Sequence, residues 1–425
     1  MHSWWQRTNG VIALECAFGG RLDVATLTRA AELLVDTEPI LGFMLVEDAP
    51  APHWRRVPAS ERRLVTLVRT RTEYERLRRS GMDAGAGVQL ALCLWRGEAA
   101  DRLLVKMTHA AGDGASLQLL ARRLASLYSE LTLDPSYRPS RGRLRTRDPS
   151  ELLEPVPRLA RLQALLAFAL FMAPRLFPRA THRLPLPGVC AGAWAPVVRR
   201  LSDPSLSSLS RYAKARGATV NDVVLAAAYR ALAAAGWDGV SALRIPTTVD
   251  LRRWCLPPEH AAAVANISSW EFPYLMRDLG RTLDETTARV TALMRRRKRS
   301  RPGLAIGLIM LRAANKAADP AGARAFKSVS VRPRPAQPLL TLSNEGLLDK
   351  SALRFGDEAP LSAHVLPPFM RLPRLHVCVS GYDGALTVAA VTPENGRADV
   401  TRFLDTLLDE LRVVEEEHTA ASTAL

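Results

Sequence analysis

Apolar and polar positions along this chain follow two different periods. Val11 to Phe18 has β-like spacing, as do Gln89 to Trp95 and Arg102 to Met107, which the turn-prone Arg96-Gly97-Glu98 separates. Asp23 to Val35 has helical spacing with Asp23 placed to cap it, and Ala115 to Tyr128 carries leucines and alanines at helical intervals. A polar stretch rich in proline and arginine, Asp134 to Pro149, reads as a long exposed loop. The most apolar segment is Leu162 to Phe177. Its uninterrupted run, Ala164 to Pro174, is far below the roughly 18 residues that a spanning helix needs. A buried or substrate-lining helix is expected there. The flanking Arg158, Arg161, Arg175 and Arg179 keep a membrane-surface helix, with peripheral lipid contact, as the alternative.

A second loop rich in proline and glycine, Pro178 to Pro196, interrupts the pattern. The composition shift within Arg179 to Ala195 marks a boundary between two lobes, 1–185 and 186–425. Beyond it a strand is expected at Val197 to Leu201, a helix from near Asp203-Pro204 and another over Val220 to Ala235. Further strands are expected at Ala242 to Val249, Ala263 to Trp270, Leu339 to Ser343, Leu375 to Gly381 and Leu386 to Val391. Helices are expected at Arg277 to Arg297, Leu304 to Ala317 and Asp399 to Glu416. The small, polar tail His418 to Leu425 is expected to be disordered.

Composition sharpens this picture in three ways. A length of 425 residues exceeds what one core usually serves, so two lobes are the natural division. Five scattered cysteines, with no C-x-x-C pair, supply neither a disulfide framework nor a zinc site and suit a reducing, cytoplasmic setting. No signal peptide is read at the N-terminus. The formal charge of +16 would attract acidic partners: anionic lipid, the phosphates of coenzyme A or an acidic carrier protein. Its arginines are spread along the chain without a recognition helix or zinc finger, so nucleic acid is set aside.

The chemistry concentrates in LLVKMTHAAGDGASLQLL, Leu103 to Leu120. A strand ends at Met107, His109, Asp113 and Gly114 occupy a short loop, and a helix follows at once. A histidine at a strand end is held rigidly yet can reach a cleft, and its ordinary pKa suits proton transfer near neutrality. Asp113 is suited to fixing the loop, and Gly112 and Gly114 permit a close approach that a Cβ would block. By contrast, no G-x-S-x-G elbow, Walker A loop or H-E-x-x-H occurs. The other histidines lack ligand spacing, so no metal is expected, and His376 and Cys378 on one strand face read as packing.

THAAGDGAS resembles the H-x-x-x-D-G signature of the chloramphenicol acetyltransferase-like superfamily, which includes condensation domains, wax ester synthases and alcohol acyltransferases. Other segments are similar in turn: GATVNDVVLAAAYRAL (Gly217 to Leu232), RIPTTVDLRR (Arg244 to Arg253), Asn266-Ile267-Ser268, TLSNEG (Thr341 to Gly346) and SGYDGALTVAAV (Ser380 to Val391). Two departures stand out. Thr108 replaces the first of two adjacent histidines, and Asp-Phe-Gly-Trp-Gly is absent. The resemblance implies an α/β fold of mixed sheets: two chloramphenicol acetyltransferase-like lobes forming a pseudo-dimer around a central tunnel.

It also implies acyl transfer from a pantetheine thioester, acyl-coenzyme A or an acyl-carrier protein, onto an alcohol or amine. His109 would act as general base, without a covalent acyl-enzyme and without a permanently bound cofactor. By family position Asp113 is structural, with Arg252 its ion-pair partner, and Ser343, Asn344 and the backbone near Gly114 are candidate oxyanion donors. The alternatives are a stand-alone condensation enzyme using acyl- or peptidyl-carrier proteins, and an inactive binding homologue.

Overall fold

The computed structural model describes residues 10–46, 53–140, 155–172, 181–186, 193–201, 205–255, 264–275, 278–317, 339–368 and 374–423. The first half gives β1 (Val11–Ala17), α1 (Val24–Thr37), β2 (Phe43–Val46), β3 (His53–Arg56), β4 (Val65–Val68) and α2 (Arg71–Arg79). It continues with β5 (Leu90–Arg96), β6 (Asp101–Thr108), α3 (Gly114–Leu133) and α4 (Arg158–Met172). The second half begins with β7 (Trp194–Leu201), α5 (Ser205–Ala215), α6 (Val220–Ala234), β8 (Leu243–Arg244), β9 (Thr247–Asp250), α7 (Arg252–Cys255) and β10 (Ser268–Glu271). It ends with β11 (Tyr274–Leu275), α8 (Leu283–Lys298), α9 (Leu304–Ala317), β12 (Leu339–Leu348), β13 (Ser362–Leu366), β14 (Arg374–Tyr382), β15 (Ala385–Pro393) and α10 (Arg397–Thr423).

Two mixed sheets organise these elements, one in each lobe. The first has the order β13-β1-β6-β5-β4 and the second β10-β9-β12-β14-β15-β7. The lobes are not separate along the chain, because β13, from the second half, pairs antiparallel with β1 from Ala13↔Leu366 to Ala17↔Ser362. The first core lies between that sheet and helices α1 and α3, with Leu14, Leu92 and Val105 facing Leu27, Leu34, Leu120 and Leu124. In the second, Val377 and Val388 pack on Val224 and Tyr229 of α6 and on Leu404 and Leu407 of α10. Each of these side chains is almost fully withdrawn from water, so each contributes about 1.5–3 kcal/mol of burial before the entropy of ordering is counted.

Several boundaries differ from the sequence reading for identifiable reasons. The strand expected over Ala242 to Val249 splits into β8 and β9 around Pro246, which has no N–H to give a ladder. Helix α8 starts only at Leu283, where the Thr282 hydroxyl accepts from Glu285 N (3.2 Å). Strand β10 starts later than expected, at Ser268, and β12 runs five residues beyond Ser343 to Leu348. The tail expected to be disordered is helical through Thr423, a stretch that includes the strong helix formers Ala420 and Ala421.

Helix α4 is buried along one side only. Val156, just before it, and its Ala160 and Ala164 pack with Leu304 and Leu308 of α9, whereas Leu159, Leu162, Leu166 and Leu170 are exposed. That corrects the expectation of a buried helix: one side, where Leu165 and Phe168 join the two alanines, packs on this cluster, and the leucines of the other side face water. Among the described residues, no helix is long and apolar enough to cross a membrane. Of the loops expected at 134–149 and 178–196, residues 141–149, 178–180 and 187–192 lie outside the described residues, and 194–196 already belong to β7.

Candidate active site

Strand β6 runs between β1 and β5 and delivers His109 one residue past its end. The His109 amide donates to the Gly10 carbonyl (2.6 Å), so its backbone is tied to the segment entering β1. Thr108, where the resemblance has the first histidine, turns into the core and donates to Gln89 Oε1 at 2.5 Å. Gln89 in turn donates to the carbonyls of Phe43, Ala84 and Gly87 at 2.8–3.1 Å. This first position is therefore a structural knot behind the loop.

The loop closes through Asp113, which caps α3. Its Oδ1 accepts from Ser116 N and Ser116 Oγ, both at 3.0 Å. Its Oδ2 accepts from Arg252 Nη1 and from Ile267 N, both at 2.8 Å. Arg252, at the start of α7 in the other lobe, also donates to Ser116 Oγ (2.9 Å), the Ala265 carbonyl (2.8 Å) and Asp250 Oδ1 (3.0 Å). Both partners are buried. Burial raises the Asp113 pKa, but Arg252 and the surrounding donors outweigh it and hold the carboxyl below its usual range. Burial likewise disfavours the Arg252 cation, and Asp113 more than restores it. The pair thus binds the loop after β6 to the segment before β10. Gly112 allows that fold, because a Cβ there would press on Ser116 Cβ and Met107 Cε at 2.6 and 2.9 Å.

Asn266 completes the support of His109. Its Nδ2 lies 3.0 Å from the ring Nδ1 and donates to the His109 carbonyl, also at 3.0 Å, while its Oδ1 accepts from Ser268 Oγ at 3.0 Å. The amide orientation is fixed by these partners, because a flip would set its oxygen against the His109 carbonyl. Burial pushes the His109 pKa down, against the negative charge of Asp113 and the carbonyls of His109 and Gly112, leaving it below the usual histidine value. The ring is therefore neutral at neutral pH and able to accept a proton.

The second lobe approaches through β12. Ser343 and Glu345 share the face toward the loop. The Ser343 hydroxyl lies 2.7 Å from Thr248 Oγ1 and donates to Glu345 Oε1 at 2.5 Å. The Glu345 carboxylate packs against Gly114, where an added methyl would collide with it. Asn344 is not brought to this site: strand alternation turns it to the opposite, exposed face, where it donates to Asn221 Oδ1 (3.2 Å) and accepts from Gly346 N (2.9 Å). The geometry therefore removes it from the oxyanion donors expected from sequence.

His109, Asp113, Gly114, Arg252 and Ser343 come together; Asn344 does not. Asn266, Ser116 and Glu345 belong to the same cluster and receive no role from the sequence alone. Ser116 lies within THAAGDGAS and Asn266 within the Asn-Ile-Ser segment, so the signal for both is present without a geometry to interpret it. No group of three or more His, Cys, Asp or Glu arranged to hold a metal occurs among the described residues.

No family model matches the chain, and no curated protein does. Solved structures are similar over nearly its whole length. The epimerization domain from the third module of tyrocidine synthetase B superposes with a TM-score of 0.69 at 16% identity, covering 97% of this chain and 92% of that one. The first condensation domain of the calcium-dependent antibiotic synthetase, in complex with a substrate analogue, gives 0.68 at 18% identity over 96% and 92%. Polyketide synthase associated protein 5 from Mycobacterium tuberculosis gives 0.66 at 14% identity over 98% and 97%. The chain therefore has the two-lobed fold of condensation and epimerization domains.

Proposed function

We propose that this protein is an acyltransferase that moves an acyl group from a pantetheine thioester to an alcohol or amine. The observation that carries this reading is the way His109 is held. It is neutral, braced by Asn266, and lies on a loop that a buried ion pair fastens to the other lobe. Such a residue is suited to take one proton and return it, without becoming covalently modified.

In the reaction, the acceptor X–H gives its proton to His109 as X attacks the thioester carbonyl carbon. The C–X bond forms and the carbonyl electron pair moves to oxygen. On collapse the C–S bond breaks, and the thiolate takes the proton back from His109. The oxyanion would be met by backbone N–H groups near Gly114, at the start of α3; the Ser343 hydroxyl has its single hydrogen engaged with Glu345. Asp113 and Arg252 fix the loop and do not themselves transfer protons.

A stand-alone condensation enzyme, with both substrates on carrier proteins, is the second reading. The likeness to a condensation domain and the charge of +16, which suits an acidic carrier surface, both favour it. One experiment addresses both readings. The purified protein is offered acyl-coenzyme A and an acyl-carrier protein separately, with a panel of alcohols and amines, and free thiol is followed. His109→Ala should lower the rate by roughly a hundredfold or more while circular dichroism stays unchanged. Wild-type turnover in that variant would remove the mechanism.

A further inference from the structure

The carboxyl group of Glu345 has no role in the scheme above, yet the fold places it against the loop that carries His109. Strand β12 is irregular at this point: Asn344 pairs with Val379 and Gly346 with Ser380, so Glu345 is the extra residue of a β-bulge. Gly346 follows with φ of +75°, a conformation open to glycine and strained for other residues. Bulges beside active sites re-aim a side chain. Here the bulge is clamped to the catalytic helix, because Gln118 Nε2 of α3 donates to the Glu345 carbonyl at 2.9 Å.

The side chain is half-buried, with Oε1 accepting from Ser343 Oγ (2.5 Å) and from Cys378 Sγ (3.8 Å). Oε2 faces Gly114. These neighbours are neutral. Among the described residues no arginine, lysine or histidine pairs with this carboxylate, whereas the nearby Asp113 has Arg252. A half-buried carboxylate without a counter-ion is costly, and a cation brought by a ligand relieves that cost.

We propose that Glu345 is the ammonium-binding residue of the acceptor site, so that the acceptor is a primary amine that enters protonated. This rests on the acyl-transfer reading and chooses between its two acceptor classes. A primary ammonium must lose two protons to become an amide nitrogen, and an alcohol only one. Glu345 takes the first, converting R–NH3+ to R–NH2 and becoming a neutral carboxylic acid. His109 takes the second as nitrogen bonds to the carbonyl carbon. The C–S bond then breaks, the thiolate is protonated by His109, and Glu345 releases its proton to solvent. The sum is an ammonium and a thioester giving an amide, a thiol and one proton. Burial, together with the negative charge of Asp113, raises the Glu345 pKa, which brings its proton affinity closer to that of an amine.

The test compares n-octylamine with 1-octanol, using octanoyl-coenzyme A and an octanoyl carrier protein as donors. Wild-type protein should bind octylamine more tightly than octanol by calorimetry. Glu345→Gln should lower kcat/KM for octylamine relative to octanol by roughly ten- to a hundredfold, the loss expected when a charged hydrogen bond is removed. His109→Ala should lose turnover with both acceptors and keep octylamine binding. Equal losses with both acceptors in Glu345→Gln, or no wild-type preference for octylamine, would overturn the assignment while leaving acyl transfer standing. If neither acceptor is acylated by the wild type, the acyl-transfer reading fails, and octylamine binding still decides for or against Glu345. Should Glu345→Gln not fold, the wild-type preference alone decides the assignment.

Discussion

Replacing Asp113 by asparagine keeps the shape of the loop and removes one charge. An Oδ1 acceptor remains for Ser116, so the cap of α3 survives. Arg252 then loses its buried carboxylate partner. Asp250 stays 3.0 Å away but has a side chain 40% exposed, so it compensates in part only. Breaking a buried pair costs about 3–5 kcal/mol, and the remaining partner argues for the lower end, ~3 kcal/mol. Arg252→Met strands the Asp113 charge, although Ile267 N, Ser116 N and Ser116 Oγ still solvate it, so ~2–3 kcal/mol is expected. In the double variant both charges are gone, and the loss should fall short of the sum by ~2 kcal/mol. Urea unfolding followed by circular dichroism measures each value, provided a single transition is seen. Because the pair is buried, the coupling should persist in high salt. Losses that add to within about 0.5 kcal/mol would separate the two residues and refute the argument.

Two further outcomes follow from histidines held neutral. Burial keeps the His109 pKa below the usual 6.5, so it remains a base as the pH falls through that value. The acid limb of kcat/KM should therefore lie below the ordinary histidine range, and a limb at or above 6.5 would contradict the assignment. His364 on β13 is pushed down to about 4, first by burial, with Glu15 pulling upward and Arg78, Arg102 and Arg200 downward. Below about 6.5 the unfolded chain binds a proton that the fold refuses. Stability should thus decline from there towards about pH 4, by up to ~3 kcal/mol, and His364→Gln should flatten the decline in melting temperature.

The parts of the site that are legible in sequence are those encoded locally. A strand, a loop with His109 and Asp113, and a helix follow one another directly between Asp101 and Leu133, and their order alone suggests the geometry. Arg252 is reachable through a second segment at a strand end. The rest depends on long-range approach. Asn266 meets His109 only because the two lobes fold together, and Glu345 reads as a turn residue because a bulge has no distinctive composition. Asn344 is adjacent to Ser343 in sequence, whereas strand alternation puts it on the other face. Strands β2 to β4 and β13 escape a sequence reading because they are four or five residues long, and β4 and β13 also take their partners from elsewhere in the chain. Helix α4 misleads because hydrophobicity does not say which face finds a neighbour.

The β13–β1 pairing has a consequence for how the molecule is made. During synthesis β1 and β6 are made long before β13, the other partner of β1, exists, since Ala13 pairs with Leu366. Until then VIALECA, six of whose seven residues are buried in the finished protein, borders an open edge of the nascent sheet. An apolar edge of that kind invites pairing with another chain. Closing so long a loop is also slow, because its entropy must be lost before the new contacts form. A fragment that ends before β13 should therefore aggregate more readily than the full chain, a difference that light scattering of the two would show.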